Sequence, residues 1–242
     1  MIFTVATYNV HDCVGTDRRS DPDRIARVIA DTRADILALQ EVSGPGEGRL
    51  CPGRPNHFEV LAQAFDGYAV EGPAVIDGTR RYGNMLLSRW PISTWAVADL
   101  AQSESEPRNA IDAVLETPVG PIQVIASHFG LSHRERVRQA LMIGDLARQT
   151  EAKPTLVMGD FNDWFPLSPI VRRIGAAIGR TLWQVPRRPT FPSRFPVLAL
   201  DRILVSRHGQ VVRTRVPGDT LARVASDHRP LIAEIEFTPA GS

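Results

Sequence analysis

Between positions 109 and 128 two strand-length apolar runs, 109–116 and 122–128, are joined by Thr117-Pro118-Val119-Gly120-Pro121. A run of turn formers this short returns the chain beside itself, so the two strands form a hairpin and no sheet containing them is wholly parallel. Two other runs, 34–40 and 155–159, are continuously apolar, as in strands covered on both faces. Between the strands lie segments of helical spacing. One opens at Asp21, with Pro22 in its first turn, and extends to about Arg33; the others cover 57–65, 132–150 and 168–178. Further strands are expected at 2–10, 68–71, 84–88, 94–100, 201–206 and 230–237, and the Gly- and Pro-rich stretch 43–56 reads as a surface loop. So many strands interrupted by helices pack most economically as two face-to-face mixed sheets with helices outside.

The length, 242 residues, fits one domain spanning 1–242. No apolar run is long enough for a membrane helix, and the N-terminus enters a strand pattern without a basic and apolar leader, so a cytoplasmic location is expected. Cys13 and Cys51 form neither a disulfide framework nor a zinc spacing. A net charge of +1 lacks the basic excess that announces a nucleic-acid binder, although Arg80-Arg81, Arg134, Arg136, Arg138 and Arg187-Arg188 offer local positive charge. Solvated faces account for these arginines better.

The informative residues are polar groups that end apolar strands: Asn9, Glu41, His128, Asp160 with Asn162, and Asp201. A carboxylate at the edge of a core is costly unless it is paired, hydrogen-bonded or bound to a metal. Several at corresponding strand ends point to one shared divalent cation. Oxygen donors in an incomplete shell suit Mg²⁺, with Mn²⁺ as the substitute, and the absence of clustered cysteines or a His-Glu-x-x-His pattern argues against zinc. Taken singly, Glu41 reads equally as a cap or an ion pair, and His128 as a structural histidine. In Ser226-Asp227-His228-Arg229-Pro230, acid and imidazole stand side by side just before a strand.

Together the segments resemble the endonuclease/exonuclease/phosphatase superfamily. The resemblance rests on Thr7-Tyr8-Asn9-Val10, Leu39-Gln40-Glu41, Tyr82-Gly83-Asn84-Met85-Leu86-Leu87-Ser88, Pro107-Arg108, Ser127-His128-Phe129, Gly159-Asp160-Phe161-Asn162, Leu200-Asp201-Arg202-Ile203 and Ser226-Asp227-His228, in family order. It implies a four-layered α/β sandwich with the site at one rim, and a metal-dependent hydrolase of phosphate esters. Glu41 would be the principal metal ligand, helped by Asn9 and by Asp227 directly or through water. His228, oriented by Asp201, would face the scissile phosphate and either activate the attacking water or stabilise developing charge. Asp160 would position or deprotonate that water, Asn162 would hold a phosphate oxygen, and His128 would donate to the phosphoryl group or leaving oxygen. Asn84 and Arg108 would contact substrate or support the site. Glu135, Arg136 and Gln139 match a pattern that supports the site in the family.

The substrate is expected to be a lipid or small-molecule phosphodiester, with nucleic acid the rival and a catalytically silent binding module the alternative of another class. Trp164-Phe165-Pro166-Leu167 reads as an apolar lip or as an anchor for the following helix. Thr190-Phe191-Pro192-Ser193-Arg194-Phe195-Pro196 resembles a form seen in bacterial metal-dependent hydrolases and is placed to shape the pocket.

Overall fold

The computed structural model describes residues 1–46, 55–101, 106–148, 154–165, 169–178, 182–206 and 208–238. It contains two six-stranded mixed sheets. The first sheet is built from β1 (Ile2–Asn9), β2 (Ile36–Pro45), β3 (Tyr68–Ile76), β4 (Arg80–Ser88), β11 (Gly209–Arg215) and β12 (Leu231–Phe237), in the order β11-β12-β1-β2-β4-β3. The second holds β5 (Ile92–Asp99), β6 (Asn109–Thr117), β7 (Gly120–His128), β8 (Thr155–Asp160), β9 (Leu182–Gln184) and β10 (Asp201–Ser206), in the order β5-β6-β7-β8-β10-β9. The expected hairpin is the β6–β7 pair, with Thr117 opposite Gly120.

Alternation along the strands sorts apolar side chains into three layers of core. Phe3, Val5, Ile36 and Leu86 meet Ile111, Val124, Leu156 and Ile203 between the sheets. Their neighbours face outward: Leu37 and Leu39 pack on Ile25, Val28 and Ile29 of α1 (Pro22–Thr32) and on Phe58 and Leu61 of α2 (His57–Gln63). On the opposite flank Ile125, Val157 and Leu204 pack on Ala140 and Ile143 of α3 (His133–Arg148) and on Ile170 and Ile174 of α4 (Ile170–Ile178). Each large aliphatic side chain buried in this way stabilises the fold by roughly 1.5–3 kcal/mol. Helix, sheet, sheet and helix therefore form the four-layered sandwich.

Helix α1 begins as its sequence dictates: the Asp21 carboxylate accepts from the Arg24 amide at 2.9 Å and Pro22 stands in the first turn. Several expectations change. β2 does not end at Gln40 but runs to Pro45 across an irregularity in its pairing with β4, so residues 43–45 are strand; residues 47–54 of the expected loop, including Cys51, lie outside the described residues. β3 and β4 are longer than their apolar stretches because their outer halves pair with each other beyond the core. The strands β9 and β11 and the short helix α5 (Thr220–Ala225) were not expected. β11 is an edge strand, with Val212 and Arg213 exposed, so it carries no continuous apolar run.

Candidate active site

Strand direction brings the polar groups to one rim. β1, β7 and β8 deliver Asn9, His128 and Asp160 at their last residues, with His128 beside Asp160 on adjacent parallel strands. Asp201 opens its strand rather than ending it, but β10 runs antiparallel to β8 and sets Asp201 opposite Asp160. Asp227 and His228 lie in the segment between α5 and β12, and β12 is antiparallel to β1, so they arrive at the same rim.

Glu41 reaches the rim by a different device. It lies at the irregularity in the β2–β4 ladder with a left-handed backbone, φ 60°. That conformation costs a non-glycine residue about 1–2 kcal/mol and turns the side chain out of the alternation of its strand. The Asn9 amide nitrogen donates to Glu41 Oε1 at 2.9 Å and to Asp160 Oδ2 at 3.1 Å, tying the two sheets together at the site.

His11, which sequence reasoning did not single out, completes this side. Residues His11, Asp12 and Cys13 all have positive φ, 49°, 53° and 56°, and this left-handed turn puts His11 Nδ1 3.5 Å from Glu41 Oε2 and 3.7 Å from Asp227 Oδ2. The turn is pinned from behind: the Asp12 carboxylate accepts from the Ser43 hydroxyl and lies 3.1 Å from His57 Nδ1. Burial works against the Glu41 charge, yet His11, His128, Asn9 and Tyr82 hold its carboxyl well below the usual carboxylate range. Among the described residues neither Glu41 nor Asp160 has an arginine or lysine partner.

On the other side, His228 Nδ1 is 2.9 Å from Asp201 Oδ2, which also accepts from the Thr190 hydroxyl. His228 Nε2 and His128 Nε2 are each 3.7 Å from Asp160 Oδ2. Burial opposes protonation of His228, but Asp201 and Asp160 outweigh it and push its pKa up to about 10; Phe191 packs on the ring with centroids 4.9 Å apart. Burial pushes the His128 pKa down from its ordinary value, against the pull of Asp160. The Asn162 amide nitrogen donates to Phe129 O at 2.8 Å and lies 3.1 Å from His128 Nε2, so binding of a phosphate oxygen by Asn162 requires one of these contacts to be exchanged.

Asn84 and Arg108 line a small cleft with Tyr82, Asn109 and His128. The Asn84 amide nitrogen is spent on Asn109, which in turn donates to Gly72 O, whereas the buried Arg108 pairs with Glu106 at 2.8 Å and has an unpartnered Nε. Glu135 and Gln139 brace the segment after His128, accepting from the Ser132 and Gly130 amides, and Arg136 donates to Leu131 O. Signals for the missed residues were faint: His11 is a polar residue just past Asn9, and Thr190 stands inside the segment expected to shape the pocket.

Two groups of donors can hold a divalent ion. Glu41 and Asp227, with Asn9, offer hard oxygens on either side of His11; Asp160, Asp201 and His228 place ligand atoms within 4.8 Å of one another. The first group fits a hard cation better, because all its donors are oxygens, whereas the second includes the His228 imidazole, whose Nδ1 pairs with Asp201.

The family model described as Endonuclease/Exonuclease/phosphatase family matches residues 6–228. The chain belongs to that family. Its members are phosphoric ester hydrolases, and so is this protein. It is 31% identical to the uncharacterized protein YbhP of Escherichia coli K12 over 245 residues, covering 97% of this chain and 96% of YbhP. D. rerio TDP2, solved with a single-strand DNA product, has a TM-score of 0.72 at 17% identity, covering 98% of this chain and 99% of that one. A Bacteroides thetaiotaomicron mannosyl-6-phosphatase has a TM-score of 0.70 at 17% identity, covering 97% of this chain and 100% of the other. At these identities the two structures share the fold.

Proposed function

We propose that the protein is a divalent-metal-dependent phosphodiesterase acting on a lipid or small-molecule substrate. The observation that carries the chemistry is the convergence of Glu41, Asn9, Asp160, Asp201, His128 and His228 on one rim, with acidic oxygens that form no ion pair with an arginine or lysine among the described residues. Glu41, Asn9 and Asp227 would hold Mg²⁺, or Mn²⁺ in its place. When bound, the ion lowers the pKa of a coordinated water and stabilises negative charge on phosphoryl oxygens.

The side chains do the rest. A protonated His228, held by Asp201, donates to a non-bridging oxygen and stabilises charge as it develops. Asp160, with Oδ2 3.7 Å from both His128 Nε2 and His228 Nε2, would orient the water and take its proton. Exchange of the Asn162 contact at His128 Nε2 for a phosphoryl or leaving oxygen would let His128 donate to it, and Arg108 lines the adjoining cleft for a further phosphate oxygen.

The rim supports the substrate class. Of the arginines that might bind a polyanion, Arg81 is paired with Glu71 and Arg136 is buried, while Arg187 keeps its charge but is anchored to the carbonyls of Trp164 and Phe165. Exposed apolar groups stand on the loops that follow catalytic residues: Leu131 after His128, and Trp164 and Phe165 after Asn162. Arg136 joins them, bonded to Leu131 O with its guanidinium over the Trp164 ring. The lip is therefore held by its own arginines with its apolar surface outward. The structural neighbour TDP2, solved with a single-strand DNA product, keeps nucleic acid as the rival substrate.

The test is a panel with Mg²⁺: lysophospholipid, sphingomyelin, inositol phosphates, bis-p-nitrophenyl phosphate, plasmid and abasic DNA, and single-stranded RNA. Cleavage of nucleic acid alone removes the substrate proposal. Equal turnover in excess chelator removes the metal.

A further inference from the structure

The segment from Arg188 to Val197 separates the active site from a second feature. On its inner side Thr190 bonds Asp201 and Phe191 packs on His228. On its outer side is a shallow depression of about 450 Å³ lined by Arg188, Pro189, Pro196, Thr214, Arg215 and Arg229. Arg229 spends its donors on the carbonyls of Ser193, Pro217 and Arg194, Arg215 on those of Thr32 and Asp31, and Arg188 reaches Thr214 Oγ1 at 3.4 Å. Among the described residues none of the three makes an ion pair. The carboxylate acting on Arg229 is Asp219, already engaged as the N-cap of α5. Carbonyl bonds position a guanidinium without cancelling its charge, so the depression is a fixed site of positive potential.

Pro196 in its wall is flanked by the two most exposed large apolar side chains among the described residues, Phe195 at 74% and Val197 at 71%. Apolar groups at a tip beside uncompensated arginines are the two contributions that hold a protein at an anionic lipid interface, one entering the acyl boundary and the other meeting phosphate head groups. We infer that Phe195, Val197 and the Arg188–Arg215–Arg229 depression form a docking surface for a bilayer containing anionic phospholipid. A second copy of the chain is the poorer occupant, because a two-fold contact here would face arginines with arginines. The inference deepens the lipid reading of the active site, whose entrance shares this segment.

The experiment is co-sedimentation of the full chain, without divalent cation, with vesicles of phosphatidylcholine alone or mixed with phosphatidylglycerol. Binding is expected only to the mixed vesicles and to weaken with salt. Arg188→Ala should lower the partition coefficient about fivefold, the loss of one basic residue at the surface. Phe195→Ser/Val197→Ser should abolish binding, while Trp95→Ser, which removes an exposed aromatic on the distant edge strand β5, should leave it intact. The variants change exposed side chains, and circular dichroism melts check that they fold. The inference falls if neither vesicle binds, if both bind equally, or if the variants bind like wild type. It falls equally if inorganic phosphate binds in an Arg188-dependent way while anionic vesicles do not, or if the Phe195/Val197 variant converts a dimer to a monomer in light scattering. Because hydrolysis plays no part in the readout, failure of the phosphodiesterase reading is scored separately.

Discussion

Replacing Gly159 by alanine should damage the fold and the site together. Gly159 has φ 155°, a region that side chains avoid, and a Cβ built on it would stand 1.7 Å from Ser127 O and 2.8 Å from Ser127 C. Both atoms are backbone of β7, directly across the parallel ladder, so no side chain can swing aside. Accommodation requires β7 and β8 to part at this step. Two ladder hydrogen bonds at about 0.5–1.5 kcal/mol each, with about 1–3 kcal/mol for the disallowed backbone, amount to roughly 4 kcal/mol. For a chain of this size each kcal/mol moves Tm by about 2–4 °C, so a drop of roughly 8–16 °C is expected in a calorimetric melt. The next pair on the ladder is His128 with Asp160, so turnover of bis-p-nitrophenyl phosphate, measured well below the new Tm, should fall by at least about tenfold. A variant with wild-type Tm and wild-type turnover would refute this account of how Asp160 is placed.

Three further substitutions have outcomes that can be measured. Glu41→Gln keeps the backbone and the Asn9 contact but removes a ligand charge, and should reduce Mg²⁺-supported turnover by about 10²-fold or more, together with the rise in Tm that Mg²⁺ gives the wild type. Asp201→Asn should cut kcat by about 10²–10⁴-fold. In the metal-free protein it should also lower the His228 midpoint from about 10 toward the ordinary imidazole value, read by NMR titration. Far from the chemistry, Asp17 is held down to about 2 by its bonds with Arg24 and with the Arg19 amide. A depressed carboxyl stabilises the fold above its ordinary value and loses that stabilisation as pH falls through about 2. Asp17→Asn should therefore lower stability at neutral pH and flatten the decline between about pH 4 and pH 2, as followed by urea melts.

The sandwich was readable because its strands are short and largely apolar, as in 34–40, 109–116, 122–128 and 155–159. Asn9, His128 and Asp160 stood out for the same reason, as polar groups closing apolar runs. Glu41 was found for a reason the structure revises. The chain beyond it continues as strand, and an irregularity with positive φ, rather than a strand end, turns its carboxylate to the rim. A bulge is set by pairing between distant strands and leaves no local pattern. His11 escaped notice likewise, since three successive left-handed residues without a glycine are held by Ser43 and His57, contacts across long loops. The edge strand β11 was hidden by its exposure, and β9 by its short length of three residues.

The measurement that bears most directly on the central claim is anomalous diffraction from crystals soaked in Mn²⁺. The account predicts a peak bound to a Glu41 carboxylate oxygen, with Asn9 and Asp227 around it and His228 still paired with Asp201. A peak seated among Asp160, Asp201 and His228 with Glu41 turned to another partner, or no peak at this rim at all, would contradict it.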